Sequence, residues 1–141
     1  FIDCPPALNV LTINALVASN SVMIPMQCEY FALEGLSALI STIRAIRETL
    51  NSNLKIEGLL RTMYDKRNSL SGEVSRQLET HFGNKVYDTV VPRNVRLAEA
   101  PSYGEPAISY APHSKGARAY ILLADEMLKI ASVKTAQAAT A

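Results

Sequence analysis

The first side chain able to do chemistry stands in the run Phe1-Ile2-Asp3-Cys4-Pro5-Pro6. Two apolar residues lead straight into a carboxylate and a Pro-Pro pair, which predicts the end of a buried parallel strand delivering Asp3 to the carboxyl edge of a sheet. Ligands of open α/β sheets sit outside that edge, so an acid there can hold a metal ion or the water that serves it. An Asp before Pro-Pro is equally a turn former. Three further apolar runs end in polar punctuation: SVMIPM in Gln27-Cys28-Glu29-Tyr30, LKIEGLLRTM in Tyr64-Asp65-Lys66-Arg67-Asn68, and Val86 to Val91 in Pro92-Arg93-Asn94. If all four ends lie side by side, their polar groups converge on one rim, a stronger argument for a site than any of them alone.

Other chemistries find little support. Cys4 and Cys28 lack C-x-x-C spacing and are too few for a disulfide framework. His113 has no second ligand at metal spacing, and His81, beside Phe82, reads as a partly exposed filler. Ser102 and Ser114 lack a Gly-x-Ser-x-Gly elbow. The rim suits Mg²⁺ and nucleotide, because Mg²⁺ keeps most of its waters and needs only one or two carboxylates beside the phosphates. The phosphates need a G-x-x-x-x-G-K-[ST] loop as well, and none of the glycines of this chain belongs to one.

The elements that position the rim follow from periodicity. Leu8 to Ala18 is apolar on nearly every turn and predicts a mostly buried helix. From Leu33 the apolar positions Leu36, Leu39, Ile40, Ile43, Ile46 and Leu50 recur every three or four residues, the clearest amphipathic helix of the chain. Val74, Leu78 and Phe82 form the stripe of another helix, which opens near Ser71 and stops at Gly83-Asn84. Val95 to Ala100 predicts a helical turn, Ser102 to Pro112 a loop with a brief extended piece at Ala107 to Ser109, and Ser114 to Ile130 a last helix. The fold class is α/β: a parallel sheet with flanking helices and right-handed crossovers. Residues 1–131 form the domain, and the small, polar stretch 132–141 is expected to be a disordered tail.

The runs FIDCPPALNVLTINAL, IPMQCEYFALEGL, TMYDKRN and VVPRNVRLAEAPSYGEPAISY resemble, in order and over residues 1 to 130, the carboxyl-terminal half of the ParA/Soj chromosome- and plasmid-partitioning ATPases. The resemblance implies a P-loop NTPase-like domain entered at its Walker B strand, with the phosphate loop on strands upstream of Phe1. It implies that Asp3 is the Walker B aspartate, serving Mg²⁺ through a water, and that Cys4, Pro5 and Pro6 belong to the switch segment sensing the γ-phosphate. Met63, Tyr64 and Asp65, with Pro92, Arg93 and Asn94, match the loops around the adenine, and Tyr64 stands where the family often has a smaller or aliphatic residue. Arg67 and Arg96 match arginines that contact DNA nonspecifically. The implied cofactors are ATP and Mg²⁺; the implied partners are DNA, a second copy in an ATP-dependent homodimer and a ParB-type centromere-binding protein. The implied location is cytoplasmic and nucleoid-associated, without membrane contact. The resemblance also leads us to expect that these 141 residues alone neither hydrolyse ATP nor remain a tidy monomer.

Composition sets bounds on this reading. With 48% hydrophobic and 19% charged residues the chain suits a single soluble core. A net charge of +1 does not call for a polyanionic partner, so DNA contact must come from a few local arginines. Taken alone, Lys66, Arg67, Arg76, Arg93 and Arg96 read as ordinary solvated charges. A MinD-like membrane-site ATPase is the alternative within the fold; its basic amphipathic carboxyl-terminal helix is not what VKTAQAATA offers, with one lysine and no bulky residue after Val133. An iron-sulfur reductase would use Cys4 and Cys28 without the flanking glycines of that family. An inactive remnant that acts only as an interaction module is the fourth reading.

Overall fold

The computed structural model describes residues 1–139. Strands β1 (Ser21–Gln27), β2 (Lys55–Tyr64) and β3 (Val86–Pro92) form one parallel sheet in the order β1-β2-β3. Helix α1 (Val10–Ala18) precedes β1, and the crossovers between strands are α2 (Tyr30–Thr49) and α3 (Ser69–Phe82). After β3 come α4 (Val95–Glu99), a 3-10 turn over Ala100–Tyr103, α5 (Ala107–Tyr110) and α6 (Lys115–Ala139). This is the α/β architecture that the alternating pattern predicts.

Local chemistry sets the helix starts. Asn9, Asn68 and Asn94 cap α1, α3 and α4, each side-chain oxygen accepting a main-chain N–H at 3.0–3.1 Å. Asn51, beyond the end of α2, donates its side-chain amide to the carbonyls of Leu16, Val17 and Ser19 at 2.8–3.1 Å. It thereby satisfies the orphan acceptors at the end of α1 and pins that helix to the loop entering β2.

Four expectations need correction. Phe1 to Asp3 form no strand, and all three residues are exposed. A two- or three-residue segment running into Pro5-Pro6 can make very few ladder hydrogen bonds, because proline has no N–H to give. Helix α1 is not mostly buried: Thr12 and Leu16 face inward while Leu8, Val10 and Leu11 are exposed. An all-round apolar pattern does not reveal which face finds a neighbour. Ala107 to Ser109 are helical, since Pro106 with φ −66° starts α5 and its carbonyl accepts from Ser109 and Tyr110. Residues 132–139 continue α6, as a stretch free of Gly and Pro and rich in Ala allows, and residues 140 and 141 lie outside the described residues.

The sheet has a core on each face. On one, Ile24, Met26 and Leu59 pack with Leu36, Ile43 and Ile46 of α2 and Val74 and Leu78 of α3. On the other, Leu60, Tyr87 and Val91 pack with Ala119 and Leu123 of α6. Each fully buried aliphatic side chain contributes about 1.5–3 kcal/mol. Gly58 belongs to the second face by alternation, and a Cβ there would lie 2.5 Å from the ring of the buried Tyr87 and 3.1 Å from the Lys85 carbonyl.

One charge sits inside. Arg61 of β2 is 6% exposed and donates to Ser75 Oγ at 2.8 Å, to Glu79 of α3, and to the Tyr87 and Asp88 carbonyls at 2.6 and 3.2 Å. Its Nε has no partner. On the outer side of β3, the Glu126 carboxylate of α6 accepts from the main-chain N–H groups of Asp88 and Thr89 at 2.7 and 2.9 Å. Burial opposes ionisation of Glu126, but the Thr89 side chain and then these two main-chain bonds outweigh it and hold the carboxyl below its ordinary range, with Arg61 adding to the effect.

Two outcomes follow. Gly58→Ala forces the Tyr87 ring or the β3 backbone to shift, and is expected to lower stability by about 1–3 kcal/mol in urea unfolding; an unchanged midpoint would contradict the close contact. A folded-state pKa below the unfolded one stabilises above the unfolded value and is lost as the carboxylate protonates. Glu126→Gln is therefore expected to cost no more than about 1 kcal/mol at neutral pH, solvent screening included. The gap from the unsubstituted chain should close in urea curves taken below about pH 4.

Candidate functional site

The carboxyl ends of the three strands do lie side by side. In the parallel register Gln27 pairs with Thr62 and Tyr64 with Pro92, so Gln27, Tyr64 and Pro92 share one edge of the sheet. Past the ladder, the Arg93 N–H donates to the Tyr64 carbonyl at 3.2 Å, which joins the loop after β2 to the loop after β3. Met63, Tyr64, Asp65, Pro92, Arg93 and Asn94 are thus one contiguous group. The fourth expected member is different: Asp3 stands outside the ladder, exposed, and its carboxylate makes no hydrogen bond or ion pair with the described residues. Cys4, Pro5 and Pro6 are likewise exposed.

The rim residues divide by what each side chain is free to do. Met63 holds φ +48°, a left-handed conformation that strains a residue with a side chain, and it is 43% exposed. That twist turns the next residue: Tyr64 packs its ring against the first core, so it offers the rim only its main chain. The side-chain oxygen of Asn94 is taken by the cap of α4, whereas Arg93 is exposed. Asp65 is two-thirds buried and accepts from the Arg67 main-chain N–H, Nε and a terminal guanidinium nitrogen at 3.0, 3.1 and 3.0 Å. The Arg67 side-chain bonds and then its main-chain bond hold Asp65 down at about 2, and Arg93 adds to this.

Arg96 lies one turn into α4 and donates to Glu99 at 2.8 Å. Tyr110 of α5 donates its hydroxyl to the same carboxylate oxygen at 3.3 Å and stacks on Tyr103 with ring centroids 4.8 Å apart. The partners Glu99 and Tyr110 escape a reading that looks at each arginine singly, although the Arg-x-x-Glu spacing on a helical turn signals the first. Arg61 is missed for another reason: it stands in the apolar run Leu59-Leu60-Arg61, and a lone charge in such a run is itself the sign of a buried, partnered group.

Other candidate chemistries fare as follows. Cys28 is 2% exposed and burial pushes its thiol up, so it is a packed residue, not a ligand poised as thiolate. Among the described residues no group of three or more His, Cys, Asp and Glu side chains could hold a metal ion. A lone exposed carboxylate at Asp3 still fits a water-mediated part in binding Mg²⁺, which does not require a cage of protein ligands.

Comparison with known proteins places this arrangement. A family model described as "AAA domain" matches residues 1–56. The chain is 57% identical over 126 residues to the sporulation initiation inhibitor protein Soj of Bacillus subtilis, covering 89% of this chain and 50% of that protein. It is 52% identical over 138 residues to the chromosome partitioning protein ParA of Caulobacter vibrioides, covering 98% of this chain and 52% of that one. Among solved structures, cobyrinic acid a,c-diamide synthase from Mycobacterium smegmatis with bound ADP and magnesium superposes with a TM-score of 0.70 at 34% identity, over 90% of this chain and 45% of that one. The fold is accordingly that of part of a P-loop NTPase-like domain. Over about nine-tenths of its length or more the chain is similar to proteins of the ParA/Soj type, and it spans about half the length of the curated relatives it matches.

Proposed function

We propose that this chain supplies the base-side rim and the DNA-contacting arginines of an ATP-driven DNA-partitioning switch. The observation that carries the reading is the Arg93 to Tyr64 main-chain bond, because it makes one surface of the two loops that resemblance assigns to one adenine. Met63 to Asp65 and Pro92 to Asn94 would flank the base, chiefly with main-chain groups, since the Tyr64 ring and the Asn94 oxygen are engaged elsewhere. Asp3, exposed and unpaired, would accept a hydrogen bond from a magnesium-bound water, and Cys4 to Pro6 would follow it as the switch segment. Bound Mg²⁺ supplies neutralisation of phosphate charge. No G-x-x-x-x-G-K-[ST] loop occurs in these residues, so the phosphate cradle is contributed by another part of the assembled protein.

The DNA half of the reading rests on Arg67 and Arg96, exposed at 90% and 58% of their side-chain surface and carried on the loop that follows β2 and on the first turn of α4 after β3. Guanidiniums placed this way suit sequence-independent contact with phosphates, for which a net charge of +1 is no obstacle. ATP would draw two copies together, the pair would hold DNA in the nucleoid, and a ParB-type partner would trigger hydrolysis and release. No helix among the described residues is long and apolar enough to cross a membrane, and α6 ends in a segment poor in bulky residues, which favours DNA over the membrane surface of the MinD-like reading.

In the assembled protein, hydrogen exchange with and without ATP and Mg²⁺ is expected to show protection at the main-chain N–H groups of residues 63–65, 93 and 94, in addition to any change at Asp3 and Cys4. Protection that leaves 63–65, 93 and 94 unchanged would remove the base-side assignment. For DNA, anisotropy of a labelled duplex of arbitrary sequence is measured across a salt series with ATP and Mg²⁺ present. Arg67→Ala and Arg96→Ala should each weaken binding and reduce the slope of log affinity against log salt by about 1. Slopes equal to that of the unsubstituted chain would exclude these arginines as phosphate contacts.

A further inference from the structure

Both arginines that the proposed function gives to DNA are already occupied. Arg67 is the more exposed of the two, yet its guanidinium is forked onto Asp65 through two nitrogens, at 3.1 and 3.0 Å. Asp65 in turn is fixed by the Arg67 main-chain N–H at 3.0 Å. Arg96 is paired with Glu99 at 2.8 Å, and Glu99 is fixed by the hydroxyl of Tyr110, which is itself stacked on Tyr103. In each case the acid sits within three residues of its arginine and is the better anchored of the two partners. The pattern occurs twice, once on the loop after β2 and once within α4.

We propose that Asp65 and Glu99 are built-in counter-ions that occupy the two rim arginines, so that a nucleic-acid backbone engages them by exchanging a phosphate for a carboxylate. The inference rests on the DNA reading above and adds its regulation. A carboxylate and a phosphodiester present the same feature to a guanidinium, two oxygens on one centre, so Arg67 can turn from one to the other without losing its forked geometry. The strength of the pairing suits exchange. An ion pair open to solvent is strong enough to bias a side chain and too weak to hold it against a polyanion. Pairing also cancels the charge of each arginine at short range, so the free rim attracts DNA weakly.

Location gives the pairing a second consequence. Asp65 is shared: it closes the loop Met63 to Asp65 that would flank the base, and it holds Arg67. A ligand that moves this loop alters how firmly Arg67 is held, and by reciprocity phosphate capture of Arg67 alters the loop. Glu99 has no such connection, being tied to α5 instead, so its pairing sets a threshold that nucleotide does not reach directly.

A double-mutant cycle on DNA affinity, at low salt with ATP and Mg²⁺, separates this from a general charge effect. Asp65→Asn should tighten binding about 2- to 5-fold. The gain should vanish in Asp65→Asn/Arg67→Ala, which should bind like Arg67→Ala alone. Glu99→Gln with Arg96→Ala should behave in the same way. An equal gain from Asp65→Asn in both backgrounds means that only net charge changed, and it overturns the exchange while leaving the DNA reading intact; no gain at all does the same. The cycle is run in the assembled protein, phosphate cradle included; there, binding unaffected by Arg67→Ala and Arg96→Ala, or absent without substitution, overturns both readings together. An independent readout is the Arg67 Nε–H resonance, expected to be protected from solvent exchange in the free chain and to lose that protection in Asp65→Asn; equal protection in the two would show that the pairing does not hold in solution.

Discussion

The buried guanidinium of Arg61 is the interaction on which the geometry of the rim depends. It lies in the middle strand and reaches α3 through Ser75 and Glu79 and the edge strand through the carbonyls of Tyr87 and Asp88. A charge removed from water demands partners on every side, and here those partners belong to two elements, α3 and β3. Their placement against β2 is therefore tied to one side chain. Replacing it with an apolar residue of similar volume could preserve packing, but the β3 main chain would then be held to β2 by the ladder alone, without the bonds to the Tyr87 and Asp88 carbonyls. The unpartnered Nε shows that the arrangement is not optimised for hydrogen bonding alone.

From that anchor the rest follows outward. With β2 and β3 locked in register, their ends coincide, and the Tyr64 carbonyl lies where the Arg93 N–H can reach it. Tyr64 is turned inward by the left-handed Met63, so a residue that could have been a bulky rim side chain becomes part of the core. What is left on the surface is a set of main-chain groups bordered by paired arginines. Strain at Met63, pairing at Asp65 and capping at Asn94 all fall within the loops just past the strands, while the strands themselves are ordinary. Precision comes from the scaffold and latitude from the loops.

Much of this was legible in the sequence, for identifiable reasons. The three interior strands and the amphipathic α2 and α3 are dictated by period and punctuation, and the convergence of their ends follows from the rule that strand-helix-strand alternation makes a parallel sheet. The expected strand over Phe1 to Asp3 does not form, because strand formation needs a neighbour that an isolated tripeptide does not specify. The exposure of Val10 and Leu11 was illegible for a related reason: apolar residues on all sides of a helix state that something must cover it, not where. Helix α5 is not legible in Ser102 to Pro112, which predicts a loop with an extended piece, because a proline signals an interruption and a helix start alike, and Pro106 stands at a start. The pairings of Arg67 and Arg96 lay in plain sight as short-range acid and base, but a reading that assigns arginines to a partner outside the chain does not look for one inside it.

The carboxylate of Glu126 has a consequence for the sheet as a whole. By taking up the main-chain donors of Asp88 and Thr89 it occupies two groups of an edge strand that a foreign strand could otherwise use. Among the described residues no side-chain bond covers β1, the other edge strand, in this way. The two borders of the ladder therefore differ chemically, one partly capped by a carboxylate and the other not.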